Sequence, residues 1–168
     1  MRISEHISYK EATWSSTTIK YNIDNTPNAE QLESMILLAK QVFEPLRNHF
    51  KKPIKVESFF RSPKLNKKIG GSSGSQHMKG EAIDIDDDFG GITNADMFYY
   101  IESSLQFDQL IWEFGDNVNP GWVHVSYKKT GNRNKISIAY KVGKRTYYKH
   151  FYNIADFIMF KDNFYNSQ

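Results

Sequence analysis

Cysteine is absent from all 168 residues, which removes disulfides and thiolate ligands together. Any metal this chain holds must therefore sit among nitrogen and oxygen donors. The same absence fits either side of a membrane and assigns no compartment. No apolar run approaches membrane-spanning length, and Met1-Arg-Ile-Ser-Glu-His6 lacks the apolar stretch of a secretory signal. The expectation is a protein made in the cytoplasm without a signal peptide, soluble and with no membrane span. Acidic residues are missing locally. From Asn117 to Ala155 there is no Asp or Glu, while Lys128, Lys129, Arg133, Lys135, Lys141, Lys144, Arg145 and Lys149 all fall there. The overall net charge of +3 hides this asymmetry. The stretch reads either as the solvated face of a β-ribbon or as an attractor of anionic polymers. Nothing in it matches a nucleic-acid-binding module, so no nucleic-acid partner is expected.

Aromatic side chains are plentiful, with 12 Phe, 10 Tyr and 3 Trp, and can supply a core although mean hydropathy is low, at −0.61. The length suits one domain spanning residues 1–168. Residues 1–25 read as irregular. Asn25-Thr26-Pro27 predicts a helix start, with Asn or Thr as cap and Pro at the first helical position. Leu32, Met35, Ile36, Ala39, Val42, Phe43, Leu46 and Phe50 then recur at helical spacing, and Pro45 should kink or end that helix. Strands are expected over 54–60, 81–85, 110–114 and 122–128, with a hairpin formed by 136–142 and 145–151. Short helical segments are expected at 65–69 and 154–160, and a longer one at 92–105. Helices outside mostly antiparallel strands make the fold class α+β.

The chemistry concentrates in Ser75-Gln-His-Met-Lys-Gly-Glu-Ala-Ile-Asp84 and Gly121-Trp-Val-His-Val-Ser126. His77, Asp84 and His124 make an N/N/O set suited to zinc, and three protein ligands leave one tetrahedral position open. In strands, Asp84 shares a face with Ala82 and Asp86, and His124 shares one with Trp122 and Ser126. Two such strands side by side could join the three donors. The plainer reading is a buried polar trio, or a metal site without catalysis. Asp84, Asp86 and Asp88 imitate the start of a calcium loop, but Phe89 and Ala95 occupy the positions where it needs Gly and Glu. The run Gly70–Ser75 lacks the Lys-Ser/Thr end of a phosphate loop. His6, His49 and His150 have no partner at ligand spacing and read as ordinary histidines.

At these residues the chain resembles the zinc D-Ala-D-Ala carboxypeptidase family, specifically its small phage- and prophage-borne members. The resemblance extends through Ser15-Ser-Thr-Thr18, Ile23-Asp-Asn-Thr-Pro27, Pro45-Leu-Arg47, Phe60-Arg-Ser-Pro63, Leu65-Asn66, Ile69-Gly-Gly71, Phe107-Asp-Gln-Leu110 and Glu113-Phe114. It runs over about 13–127 and leaves 128–168 as a basic β-hairpin and closing helix. It implies a hedgehog-like metallopeptidase fold, Zn2+ on His77, Asp84 and His124, and hydrolysis of an amide in peptidoglycan stem peptides. The product would be that of a D-Ala-D-Ala carboxypeptidase or of an endopeptidase, used in phage lysis or wall remodelling. Glu113 stands where the family carries an acid on a strand and is the candidate general base, with Asp116 in reserve; as an alternative, Glu113 is an exposed strand glutamate. In the wider superfamily the base often lies two or three residues before the last ligand, and here Trp122 and Gly121 occupy those places. Arg61 matches the family's arginine-serine-proline segment and suits a substrate carboxylate or an oxyanion. Ser75 and Gln76 would orient substrate. The implied partner is bacterial peptidoglycan peptide, bound by a monomer that acts on the wall after release. A non-catalytic, metal-containing wall-binding or virion structural protein of the same fold is the alternative.

Overall fold

The structure, a computed structural model, describes residues 1–167. Seven α-helices and six strands are present among these residues: α1 (Tyr9–Thr13), α2 (Ser16–Tyr21), α3 (Ala29–Leu38), α4 (Glu44–Phe50), β1 (Lys55–Ser58), α5 (Pro63–Lys68), β2 (Ala82–Asp86), α6 (Asn94–Ser104), β3 (Gln109–Glu113), β4 (Trp122–Ser126), β5 (Lys135–Val142), β6 (Arg145–Phe151) and α7 (Ile154–Asn166). The strands form a single sheet in the order β1-β2-β4-β3-β5-β6. Every neighbouring pair is antiparallel except β3 and β5, which run parallel. This is an α+β architecture.

Strand alternation decides the two faces of the sheet. Ile83, Ile85, Val123, Val125, Leu110, Trp112, Ile136 and Ile138 point one way into the core, where Leu38, Val42, Leu46, Phe98 and Phe157 cover them. Trp112 is fully buried there, with Phe98 and Phe157 at ring-centroid distances of 5.3 and 5.9 Å. The intervening residues, Asp84, His124, Ile111, Glu113 and Ser137, fall on the opposite, polar face. Hydrophobic burial thus fixes the register, and a slip of one residue would drive the polar set into the core.

The N-terminal region departs from the irregular expectation. α1 is closed by a capping box between Ser8 and Glu11, and α2 by Ser15. The cap of α3 is Asn28, not Asn25 or Thr26. Asn25 is instead a buried hub: its side-chain amide donates to the Thr13 and Phe60 carbonyls and its oxygen accepts from the Ser62 backbone. Pro45 does not end the helical run. Residues Ala39–Phe43 form a π-helical turn that hands over to α4, with Pro45 in its first turn. Proline needs no donor there, because the widened turn has already broken the i→i−4 pattern.

Candidate active site

β2 and β4 are neighbours, and Asp84 lies directly opposite His124 in their register. His77 reaches them from a single 3₁₀ turn, Gln76–Lys79, closed by Gly80 in the left-handed conformation. Three donor atoms converge: His77 Nε2 and Asp84 Oδ1 at 3.2 Å, His124 Nδ1 and Asp84 Oδ1 at 2.9 Å, and the two imidazole nitrogens at 3.3 Å. Ligands on a tetrahedral zinc with bonds of about 2.0–2.2 Å stand roughly 3.3 Å apart, so the spacing fits one small cation. The outer atoms of the set are also engaged. His77 Nδ1 is 2.6 Å from the Phe59 carbonyl, which can only accept, so the proton lies on Nδ1 and the Nε2 lone pair faces the trio. Arg61 Nη2 donates to Asp84 Oδ2 at 2.5 Å, leaving Oδ1 for a metal.

The electrostatics suit a cation. Burial alone would raise the Asp84 carboxyl, yet His77 and His124 beside it hold it well below the ordinary carboxylate range. Burial pushes the His77 imidazole down, overcoming the opposing pull of Asp84, so its neutral, ligating form is favoured. Two other acidic groups could in principle hold an ion, Glu5/His6/Glu44 and Glu57/Asp86/Asp88. Both are more exposed. In the second, Lys55 already pairs with Glu57 and Asp88.

Glu113 ends β3 on the same face and is buried, only 6 % exposed. Its Oε2 has no hydrogen-bond partner among the described residues. Burial raises its carboxyl from 4.5 to about 7; His124 and Arg61 oppose the rise and Asp84 adds to it. The chain turns sharply behind it, with Phe114 at φ 56 and Gly115 at φ 73, and the Phe114 ring rests on Trp122. Asp116 lies out in that turn. Its Oδ1 accepts from the Val118 and Asn119 backbones, and those bonds lower its pKa. It is not among the residues lining the cleft, so the reserve assignment loses its geometric basis.

A cleft of about 510 Å³ opens over the trio and contains Glu113, Arg61, Ser75 and Gln76 in its walls. Arg61 also donates through Nε to Ser58 Oγ at 2.7 Å, while its Nη1 makes no hydrogen bond among the described residues. Gln76 Nε2 donates to Asp108, a fully buried carboxylate that also pairs with Arg133 and Lys128. Two of the eight basic residues are therefore taken up by a buried carboxylate. The loop at Gly70–Ser75 forms a rim, pinned by the buried Asn66, whose amide donates to the Ser72 carbonyl. Tyr148 and His150, from β6, complete the far wall. His150, read as an ordinary histidine with no partner at ligand spacing, belongs to none of the metal-capable groups among the described residues, but it lines the cleft. The signal was the period-2 pairing of Tyr148 with His150, whose meaning depends on which strand β6 joins.

A family model described as Peptidase M15 matches residues 5–126, the span that carries all three donors, Arg61 and Glu113. The chain belongs to the Peptidase M15 family. No curated protein matches it. M15 peptidases are metal-dependent and usually bind zinc, so the protein is a metallopeptidase by family, and the His77-Asp84-His124 cluster can bind a metal. The M15 match ends at Ser126, which leaves β5, β6 and α7 outside it. No helix among the described residues is long and apolar enough to cross a membrane.

Proposed function

We propose that the protein is a zinc peptidase that hydrolyses an amide in the peptide stems of bacterial peptidoglycan, as a D-Ala-D-Ala carboxypeptidase or as an endopeptidase, in phage lysis or wall remodelling. The observation that carries this reading is Glu113: a buried carboxyl with an unpartnered oxygen and a pKa near 7, facing the cleft that holds the N/N/O trio. A structural metal site has no use for such a group, whereas hydrolysis requires one. Bound by His77, Asp84 and His124, zinc would supply Lewis acidity and make water easier to deprotonate.

The remaining work falls to this chain's own side chains. Glu113 takes the proton of the attacking water and passes it to the leaving amine. Arg61 holds Asp84 in place through Nη2, and its Nη1 is left for a substrate carboxylate or the charge developing on the scissile oxygen. Ser75 and Gln76 line the approach and orient the peptide. The protein acts as a monomer on the wall after leaving the cell that made it, and the exposed basic hairpin favours an anionic wall as the polymer met there.

The test is incubation of the zinc-loaded protein with purified peptidoglycan and with soluble stem peptides, with new termini identified by mass spectrometry. Cleavage of a stem amide is expected, and Glu113→Gln should lose about a hundred- to ten-thousand-fold in rate while still binding zinc. Asp116→Asn should be nearly harmless. Wall binding with no new termini would replace this reading with that of a non-catalytic wall-binding protein.

A further inference from the structure

The sheet register sets out a row of residues across its polar face. Asp84 is opposite His124, His124 opposite Ile111, Ile111 opposite Ser137, and Ser137 opposite His150. In the next row, Trp122 is opposite Glu113, Glu113 opposite Ala139, and Ala139 opposite Tyr148. With strands about 4.8 Å apart, His150 lies roughly 14 Å from His124 along the sheet, and Tyr148 roughly 10 Å from Glu113. That is the reach of about three or four extended peptide residues from the trio. Both ends line one continuous cleft.

The far end is chemically distinct from the metal end. β5 and β6, from Lys135 to Phe151, contain no Asp or Glu. Lys135 shares the polar face with Ser137 and is only partly exposed, yet it makes no ion pair among the described residues. Burial and Arg133 together lower its pKa, as expected of a cation short of an anion. The single carboxylate nearby, Asp108, is already shared by Arg133 and Lys128. His150 Nδ1 is 2.8 Å from the buried Ser137 hydroxyl, which has no other partner among the described residues. With that hydroxyl donating to Nδ1, the neutral ring carries its proton on Nε2 and can offer it to an anion. Tyr148 is half-exposed and adds a phenol donor beside it.

We propose that His150 and Tyr148 of β6, with Lys135 of β5 at the cleft's edge opposite the cleft-lining Gln109, form a subsite that binds a carboxylate of the substrate peptide three or four residues from the scissile amide. The proposal rests on the peptidase reading above and adds what that reading leaves open, which is how the enzyme selects its peptide. It also gives a role to the part of the chain that lies beyond the M15 match. The subsite supplies two neutral donors and one unpaired ammonium, and the carboxylates whose field reaches it, Glu113 and Asp84, lie at the metal end of the cleft.

The test compares a soluble stem peptide bearing free carboxylates with the same peptide fully amidated, using the zinc-loaded full chain. The wild type should show a KM about ten-fold lower for the free acid, the usual scale for one hydrogen bond to a charged group. Lys135→Gln and His150→Ala should each erase most of that preference by raising KM for the free acid, with kcat little changed. Tyr148→Phe should do so to a smaller degree. Equal KM values for acid and amide in the wild type would overturn the subsite, as would variants that lower kcat equally on both peptides. Binding is read separately by the ring NMR signals of His150 on titration with each peptide. A shift with acid but not amide supports the subsite even if neither peptide is cut, in which case only the peptidase reading is lost. No difference between the two peptides overturns the subsite whether or not cleavage occurs.

Discussion

Glu113 is held by its surroundings in a state that an exposed glutamate would not adopt. Its folded pKa is raised, so the folded protein binds that proton more tightly than the unfolded chain does. The contribution of the group to stability is therefore fully present below its ordinary pKa of 4.5 and is lost as pH rises through about 7. Full ionisation costs at most about 3 kcal/mol, from the size of the shift. Glu113→Gln removes the titration while keeping the shape. In metal-free protein, this variant should match the wild type near pH 4 and be more stable by roughly 2–3 kcal/mol near pH 8. Denaturant unfolding at the two pH values, with chelator present, measures the difference. A constant offset between the proteins would mean that the carboxyl is not held in its protonated form. The prediction concerns Glu113 alone, since Asp84 is displaced in the opposite direction and is already ionised across this range.

The turn from His77 to β2 is the element on which the trio depends, and Gly80 closes it. Its φ is +71, and a Cβ there would run into the Gln31 carbonyl oxygen and come within 2.8 Å of Met35 Cγ on α3. The same helix anchors the turn through Gln31 Nε2, which donates to the Met78 carbonyl at 2.9 Å. Gly70 has nearly the same φ, +75, with nothing within 4 Å of such a Cβ. Gly70→Ala should cost about 1–2 kcal/mol for the left-handed backbone alone. Gly80→Ala should cost roughly 1–3 kcal/mol more and weaken metal binding, because His77 moves with the turn. Urea unfolding and metal titration of the two variants decide this, and equal losses would show that contact with α3 does not position His77. At this scale much was legible from the chain: the strand expected over 81–85 placed Asp84 on the face with Asp86. α1 and α2 were not legible, being five and six residues long and too short for helical periodicity to show, although Ser8, Glu11 and Ser15 were present as caps. The far wall of the cleft was hidden for a different reason. β6 reaches the site only through the parallel pairing of β3 with β5, a long-range choice that no local pattern records.

Across the whole molecule, the basic stretch divides into residues with different work. Lys128 and Arg133 are paired with the buried Asp108, and Lys135 stands beside the cleft, opposite Gln109 in the register. Lys149 lies over the Phe160 ring at 4.2 Å, and Lys141 is 5.2 Å from that of Phe114. Lys129, Lys144 and Arg145 are exposed and make no ion pair among the described residues, and the last two sit at the turn of the β5–β6 hairpin. An anionic wall would be felt by these three at long range, since fields extend about 30 Å at 0.01 M salt and about 8 Å at 0.15 M. Replacing all three with Gln should weaken sedimentation with purified walls several-fold at low salt and much less at physiological salt. Turnover of a soluble stem peptide should not change, because none of the three lines the cleft. Equal losses on wall and on soluble peptide would place these charges in substrate binding. A wall affinity independent of salt would instead assign attachment to the aromatic surface of the hairpin, where Tyr147 and Tyr152 stand exposed.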